Sequence, residues 1–133
     1  MTKDQLKAYR YIKLERDCIA DMIAELEGVM YNPRTQRMDG IPRNRSGAGS
    51  EVEGVAVKRI ELLERFRKKD AECSEAMAEI ESAIEILESR ERTLIRLHYI
   101  QGLTWEEVCI AMNYSWRQVH RIHAKALEVL KNA

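Results

Sequence analysis

Apolar residues recur every seven positions near the start of the chain, at Ile12, Ile19 and Leu26, with Ile23 and Met30 four residues after the last two. That spacing lays a single apolar stripe along a helix, and Thr2 followed by Gln5 forms a capping-box start. The pattern predicts an amphipathic helix over roughly 3 to 29. Gly28 and then "YNPRTQRMDGIPRNRSGAGS" are expected to break it, because this stretch holds two Pro, three further Gly and no periodic apolar face. Residues 31–50, with four Arg against one Asp, are read as a flexible Arg/Gly-rich loop.

A second pattern begins near Ser50. One series runs Val52, Arg59, Phe66, Cys73, Ile80, Leu87 and another Ala56, Leu63, Asp70, Met77, Ile84. Together they make a heptad seam, apolar except at Arg59 and Asp70. About 38 residues at 1.5 Å each span on the order of 57 Å, against about 40 Å for the first helix. The two are expected to pair as a long antiparallel, coiled-coil-like helical hairpin over 1–88, the longer helix overhanging. Polar seam residues fix register or oligomer state in such structures; alternatively, Arg59 and Asp70 lie at the seam edge and reach solvent.

The heptads end near Ser89, where "SRERTLIRLHYIQG" predicts a shorter helix burying Leu94, Ile95 and Leu97, with Gly102 as the left-handed residue that ends it. The pattern leaves open whether the long helix breaks at Ser89. Next comes "TWEEVCIAMNYSWRQVHRIHAKAL". With Thr104 as N-cap, Glu107 falls at the third helical position, and Leu103 and Val108 form a hydrophobic staple. With Ser115 as N-cap, Gln118, Tyr114 and Val119 take the same parts. Asn113 between them tolerates the left-handed backbone. The result is two short helices about a tight turn, a helix-turn-helix over 89–133.

On a wheel of 116–130, Val119, Ile122, Ala126 and Leu130 form the core face. Arg117, His120, Arg121 and Ala124 gather on the other side, and two arginines, a histidine and a small residue suit a helix entering a major groove. Arg90, Arg92, Arg96 and Lys125, with the helix starts at Thr104, Ser115 and Gln118, are the candidate phosphate contacts. Trp116 can stack on nucleic acid or pack on the helix below, and Trp105 reads as structural. His120 and His123 near Cys109 lack a fourth ligand for a metal, and His123 turns toward the core.

Composition narrows the picture further. The chain is 133 residues, 45% apolar, 33% charged and only 6% aromatic, with six Gly and two Pro, which fits an all-α protein. Its zero net charge divides into +3 over 89–133 and −3 over 1–88, so an anionic partner is expected at the C-terminal end. Cys18, Cys73 and Cys109 lie inside helical patterns and are read as reduced and packed. No apolar run approaches a membrane span, and a cytoplasmic protein that binds no membrane is expected. No phosphate loop or nucleophile–base pair is present in the sequence, so neither an enzyme nor a cofactor is expected.

The segment "RERTLIRLHYIQGLTWEEVCIAMNYSWRQVHRIHAKALEVL", 90–130, resembles region 4 of bacterial primary sigma factors, which binds the −35 promoter element. "YIQGLTWEEV", "MNYSWRQVHRIHAKAL" and "SEVEGVAVKRIELL" resemble the autolysin-regulator (ArpU-like) transcriptional regulators of phages and prophages. The sigma resemblance implies base contacts at Trp116, Arg117, His120 and Arg121. Trp116 and His120 stand where sigma factors often carry Arg, so a different recognised sequence is implied. Segments that open the −10 element have no counterpart in the chain. The resemblance implies a sequence-specific regulator of double-stranded DNA, a homo-oligomer with a dimer favoured through the N-terminal helices, and RNA polymerase as a further partner. Two other classes are kept as alternatives: a phage small terminase subunit, which also joins a helix-turn-helix to a helical hairpin but usually with the DNA-binding part first in the chain, and a sigma-like module that binds polymerase rather than DNA.

Overall fold

The computed structural model describes residues 1–31 and 45–133, with side chains described for 1–28 and 53–133. Every regular element among them is helical: α1 (Lys3–Tyr31), α2 (Arg45–Ala83), a 3-10 turn (Ile84–Ile86), α3 (Ser89–Ile95) running into a π turn (Arg96–Ile100), α4 (Trp105–Met112) and α5 (Trp116–Asn132). The fold is all-α, an antiparallel pair of long helices followed by a helix-turn-helix. Most of the expected 31–50 loop, residues 32–44, lies outside the described residues.

Two expectations are corrected at the helix ends, and the question left open at Ser89 is answered. Gly28 does not stop α1, which runs on to Tyr31; one glycine in a long helix costs about 1 kcal/mol, too little to break it. α2 begins at Arg45 rather than near Ser50. The long helix does break before Ser89. After the 3-10 turn, Leu87 and Glu88 are extended, with ψ near 157° at both. The Arg92 Nε donates to the Leu87 carbonyl at 3.1 Å across this break. Thr2 and Gln5 form the expected capping box, with the Thr2 amide donating to Gln5 Oε1 at 2.8 Å and the Gln5 amide to Thr2 Oγ1 at 3.4 Å.

The chain divides into two compact units. One, Leu14–Ala71, is the middle of the helical pair. Glu15 meets Lys69 at 2.7 Å, Arg16 meets Asp70 at 3.3 Å and Glu27 meets Arg59 at 3.0 Å, an order that requires antiparallel helices. Both polar seam residues therefore have partners inside the chain. The pairs are partly solvated, so each contributes about 0–1 kcal/mol and selects register more than it adds stability. Ile19, Leu26, Leu63 and Phe66 are half-buried at the seam and Ile23 is buried.

The other unit, Met1–Lys13 with Glu72–Ala133, holds most of the core. Leu6, Tyr9, Cys73, Ile80, Ile84, Leu87, Leu94, Ile95, Tyr99, Val108, Val119, Ile122, Ala126 and Leu130 form one buried cluster. Leu94 and Ile95 are buried as expected, whereas Leu97 is only half-buried. Cysteine usage departs from expectation at one position. All three thiols are free and Cys73 is buried, but Cys18 is exposed because it lies on α1 away from the seam.

Candidate nucleic-acid interface

Local chemistry builds the helix-turn-helix. α3 and its π turn end around Gly102, whose φ of 77° is open to glycine without strain, and the Leu103 amide closes the turn on the Leu97 carbonyl at 3.0 Å. The second turn also uses a left-handed residue, Asn113 at φ 57° and ψ 43°, and closes one residue tighter, the Tyr114 amide donating to the Cys109 carbonyl at 3.1 Å and the Asn113 amide to the Ile110 carbonyl at 3.3 Å. These are the bonds of a left-handed helix stop. At Thr104 half the expected box forms, the Glu107 amide donating to Oγ1 at 3.2 Å. Around Ser115 the box closes in both directions, at 3.3 Å from the Gln118 amide and 3.0 Å to Gln118 Oε1. The staple residues Val108 and Val119 are fully buried, with Leu103 and Tyr114 packed against the same core.

The face of α5 divides much as its sequence predicts. Val119, Ile122, Ala126 and Leu130 are buried, and Arg117, Arg121 and Ala124 are exposed. Trp116 is 54% exposed in the first turn. His120 departs from the exposed stripe. Its ring is half-buried between Trp105 and Trp116, with centroids 5.1 and 4.4 Å away, and its Nε2 is buried without a hydrogen-bond partner. Trp105 reaches back from α4 to cover it, a contact that a wheel of α5 cannot reveal.

Behind His120 lies a cluster of rings. His98 stacks on Trp105 at 3.8 Å and donates from Nδ1 to the Leu103 carbonyl at 2.8 Å, which sets its tautomer. The Tyr99 hydroxyl and His123 Nε2 are 2.6 Å apart in the interior. Burial pushes the His123 imidazole down to about 4, helped by the positive Lys3 and by His98 and His120, and raises the Tyr99 phenol to about 12. His98 is also lowered, first by burial and then by Arg10 and Lys3, against the raising effect of its bond to Leu103. Both histidines are thus neutral at pH 7, and the cluster is a packed support for the start of α5. Among the described residues no group of His, Cys, Asp and Glu is arranged to hold a metal ion.

The basic residues expected at phosphates are spread over the domain and mostly engaged. Arg96 forms a fork on Glu81, with its shortest contact 2.7 Å, and its bond holds the Glu81 carboxyl below the usual range. Arg90 lies 3.6 Å from Glu88, and Arg92 is held by the Leu87 carbonyl. Lys125 stands 3.8 Å from Glu88 and 3.5 Å from Glu91. Glu91 was not singled out by its sequence position, yet it is 2% exposed and its Oε1 has no hydrogen bond. It lies in the wall of a cleft shared with Arg90, Tyr114, Gln118, Arg121 and Lys125. Thr104, Ser115 and Gln118 are exposed at their helix starts. Because exposed ion pairs are worth little, a phosphate can take the place of Glu81 or Glu88 at slight cost.

Two capped helices about a left-handed Asn, with the second presenting arginines to solvent, define a helix-turn-helix. Residues 83–132 match the family model described as Sigma-70, region 4, a DNA-binding helix-turn-helix domain. The matched residues begin at the break after α2 and leave α1 and most of α2 outside. No curated protein and no solved structure matches the chain. No helix among the described residues is long and apolar enough to cross a membrane.

Proposed function

We propose that this protein is a sequence-specific regulator of transcription on double-stranded DNA, of the phage or prophage type that the sequence resemblance implies, with α5 in the major groove. The observation that carries the reading is the pair of exposed arginines, Arg117 and Arg121, one turn apart at the N-terminal end of a helix whose opposite face is fully committed to the core. Arginine at such a place donates two hydrogen bonds to a guanine edge. Trp116 supplies an exposed apolar ring beside them. His120, with Nε2 turned inward, offers a base only its Nδ1. Arg90, Arg92, Arg96 and Lys125, together with the helix starts at Thr104, Ser115 and Gln118, take the flanking phosphates.

One such module binds weakly, and a dimer through the N-terminal helices supplies the second half-site. RNA polymerase is a second partner with one observation in its favour: Ile110 on α4 is 81% exposed, an apolar contact point with no task in the fold.

The test is a binding titration on a duplex selected from a random pool. Arg121→Ala is expected to weaken the selected duplex by 1–3 kcal/mol, more than random DNA. Equal losses on both would reduce Arg121 to a phosphate contact, and no binding to any duplex would overturn the reading.

A further inference from the structure

The N-terminal turns of α1 belong to the same compact unit as the helix-turn-helix. Leu6 and Tyr9 are buried in its core. The backbone nitrogen of Met1 donates to the Leu130 carbonyl near the end of α5 at 2.9 Å, and Lys13 Nζ donates to the Ile100 carbonyl at 3.1 Å. Lys3, Lys7 and Arg10 follow one another at four and three residues, so they share a stripe of the helix. Lys7 and Arg10 line a cleft with Tyr11, His98 and Tyr99, and no carboxylate stands in its wall.

Charge distinguishes this stripe from three of the other candidate phosphate contacts. Arg90, Arg96 and Lys125 lean on Glu81, Glu88 and Glu91, whereas Lys3, Lys7 and Arg10 pair with no carboxylate among the described residues. Residues 1–13 carry four Lys/Arg against one Asp; taken with 89–133 the count is eleven basic against five acidic. The +3 read from the C-terminal segment alone becomes +6 with these turns; the six Glu of 72–88 bring the compact unit to eleven charges of each sign, so the excess of positive charge is local to these two segments.

The cleft also lies close to the start of α5. From His98 in its wall, the rings step to Trp105, His120 and Trp116 at 3.8, 5.1 and 4.4 Å. End to end these steps come to about 13 Å, an upper limit on the separation of His98 and Trp116 that is comparable to the roughly 12 Å width of a major groove. A helix seated in that groove has the bordering phosphate strand at this range.

We propose that Lys3, Lys7 and Arg10 form a phosphate-binding stripe that holds the DNA backbone beside the groove entered by α5. The N-terminal end of α1 is thereby part of the DNA-binding surface. Arg10 presents a planar fork to a phosphodiester, Lys7 a compact charge and Tyr11 a hydroxyl donor. The proposal rests on α5 being the recognition helix.

The experiment is a salt titration of duplex binding with the full chain, comparing the wild type with a Lys7→Ala/Arg10→Ala double variant and a Lys58→Ala/Arg67→Ala control. The control removes the same charge from exposed positions of the other compact unit. Lys7 and Arg10 are exposed and alanine favours helix, so the core is untouched. The expected result is a log–log salt slope shallower by about two, with several-fold weaker binding on selected and random duplexes alike and an unchanged ratio between them. The control should keep the wild-type slope. Retained specific binding with an unchanged slope in the Lys7→Ala/Arg10→Ala variant would overturn this proposal alone, as would an equal fall in the control. Absence of duplex binding by the wild type would overturn the recognition-helix reading along with it.

Discussion

Replacing His123 with glutamine should remove most of the pH dependence of this protein's stability below neutrality. The His123 imidazole is 7% exposed and hydrogen-bonded to Tyr99, and burial lowers it from an ordinary value of 6.5 to about 4. The unfolded chain therefore takes up the proton first as the pH falls. This stability is fully present above about 6.5 and is lost as the pH drops toward 4. Integrating proton uptake between those two values gives a loss of about 2 kcal/mol between about pH 7.5 and pH 5. His98 is depressed in the same direction and adds to the fall. Stopping near pH 5 keeps most carboxylate titration, including that of Glu81, out of the measurement. Glutamine can still bond to the Tyr99 hydroxyl but does not titrate. Urea unfolding followed by circular dichroism at the two pH values measures the difference. The wild type should lose about 2 kcal/mol more than His123→Gln. Equal losses in the two proteins would refute the assignment of the proton to His123.

Asn113→Ala, at the left-handed turn residue, should lower stability by about 1 kcal/mol, and Asn113→Gly should leave it nearly unchanged, both read as shifts in Tm. Lys125→Met removes the cation facing the buried Glu91. It should cost on the order of 1–3 kcal/mol, less than a fully enclosed pair because Lys125 is half exposed. Adding Glu91→Gln should recover much of that loss in the same unfolding assay, whereas additive losses would show that the two side chains do not interact.

What was legible in the sequence was what is encoded locally. A cap, its third-position partner and a staple lie within six residues of one another, so the starts at Thr104 and Ser115 and the stop at Asn113 could be read from residue types alone. The antiparallel pairing of α1 and α2 followed from matching stripes, and Arg59 and Asp70, left with two readings, found partners in Glu27 and Arg16. The misplaced features depend on residues far apart in the chain. Glu91 sits in "RER", where a charged run resembles solvated surface, and only the packing of α3 on α5 buries it. His120 falls on the exposed side of an α5 wheel, but Trp105 comes from another helix to cover it. Cys18 occupies a helical pattern without being on its buried side. The basic stripe of α1 was not read from the sequence, because nothing local links Lys3, Lys7 and Arg10 to residues beyond 89.

The burial of Leu6 and Tyr9 also bears on how the protein is made. Residues 1–13 leave the ribosome before residues 72–133, which form the rest of their compact unit. At a synthesis rate of about 5–20 residues per second, the first turns of α1 wait several seconds or more for those partners. During that time Leu6 and Tyr9 stay uncovered and open to chaperones. The unit that holds the helix-turn-helix thus folds late in translation, with residues 1–13 packed only after residues 72–133 have followed them.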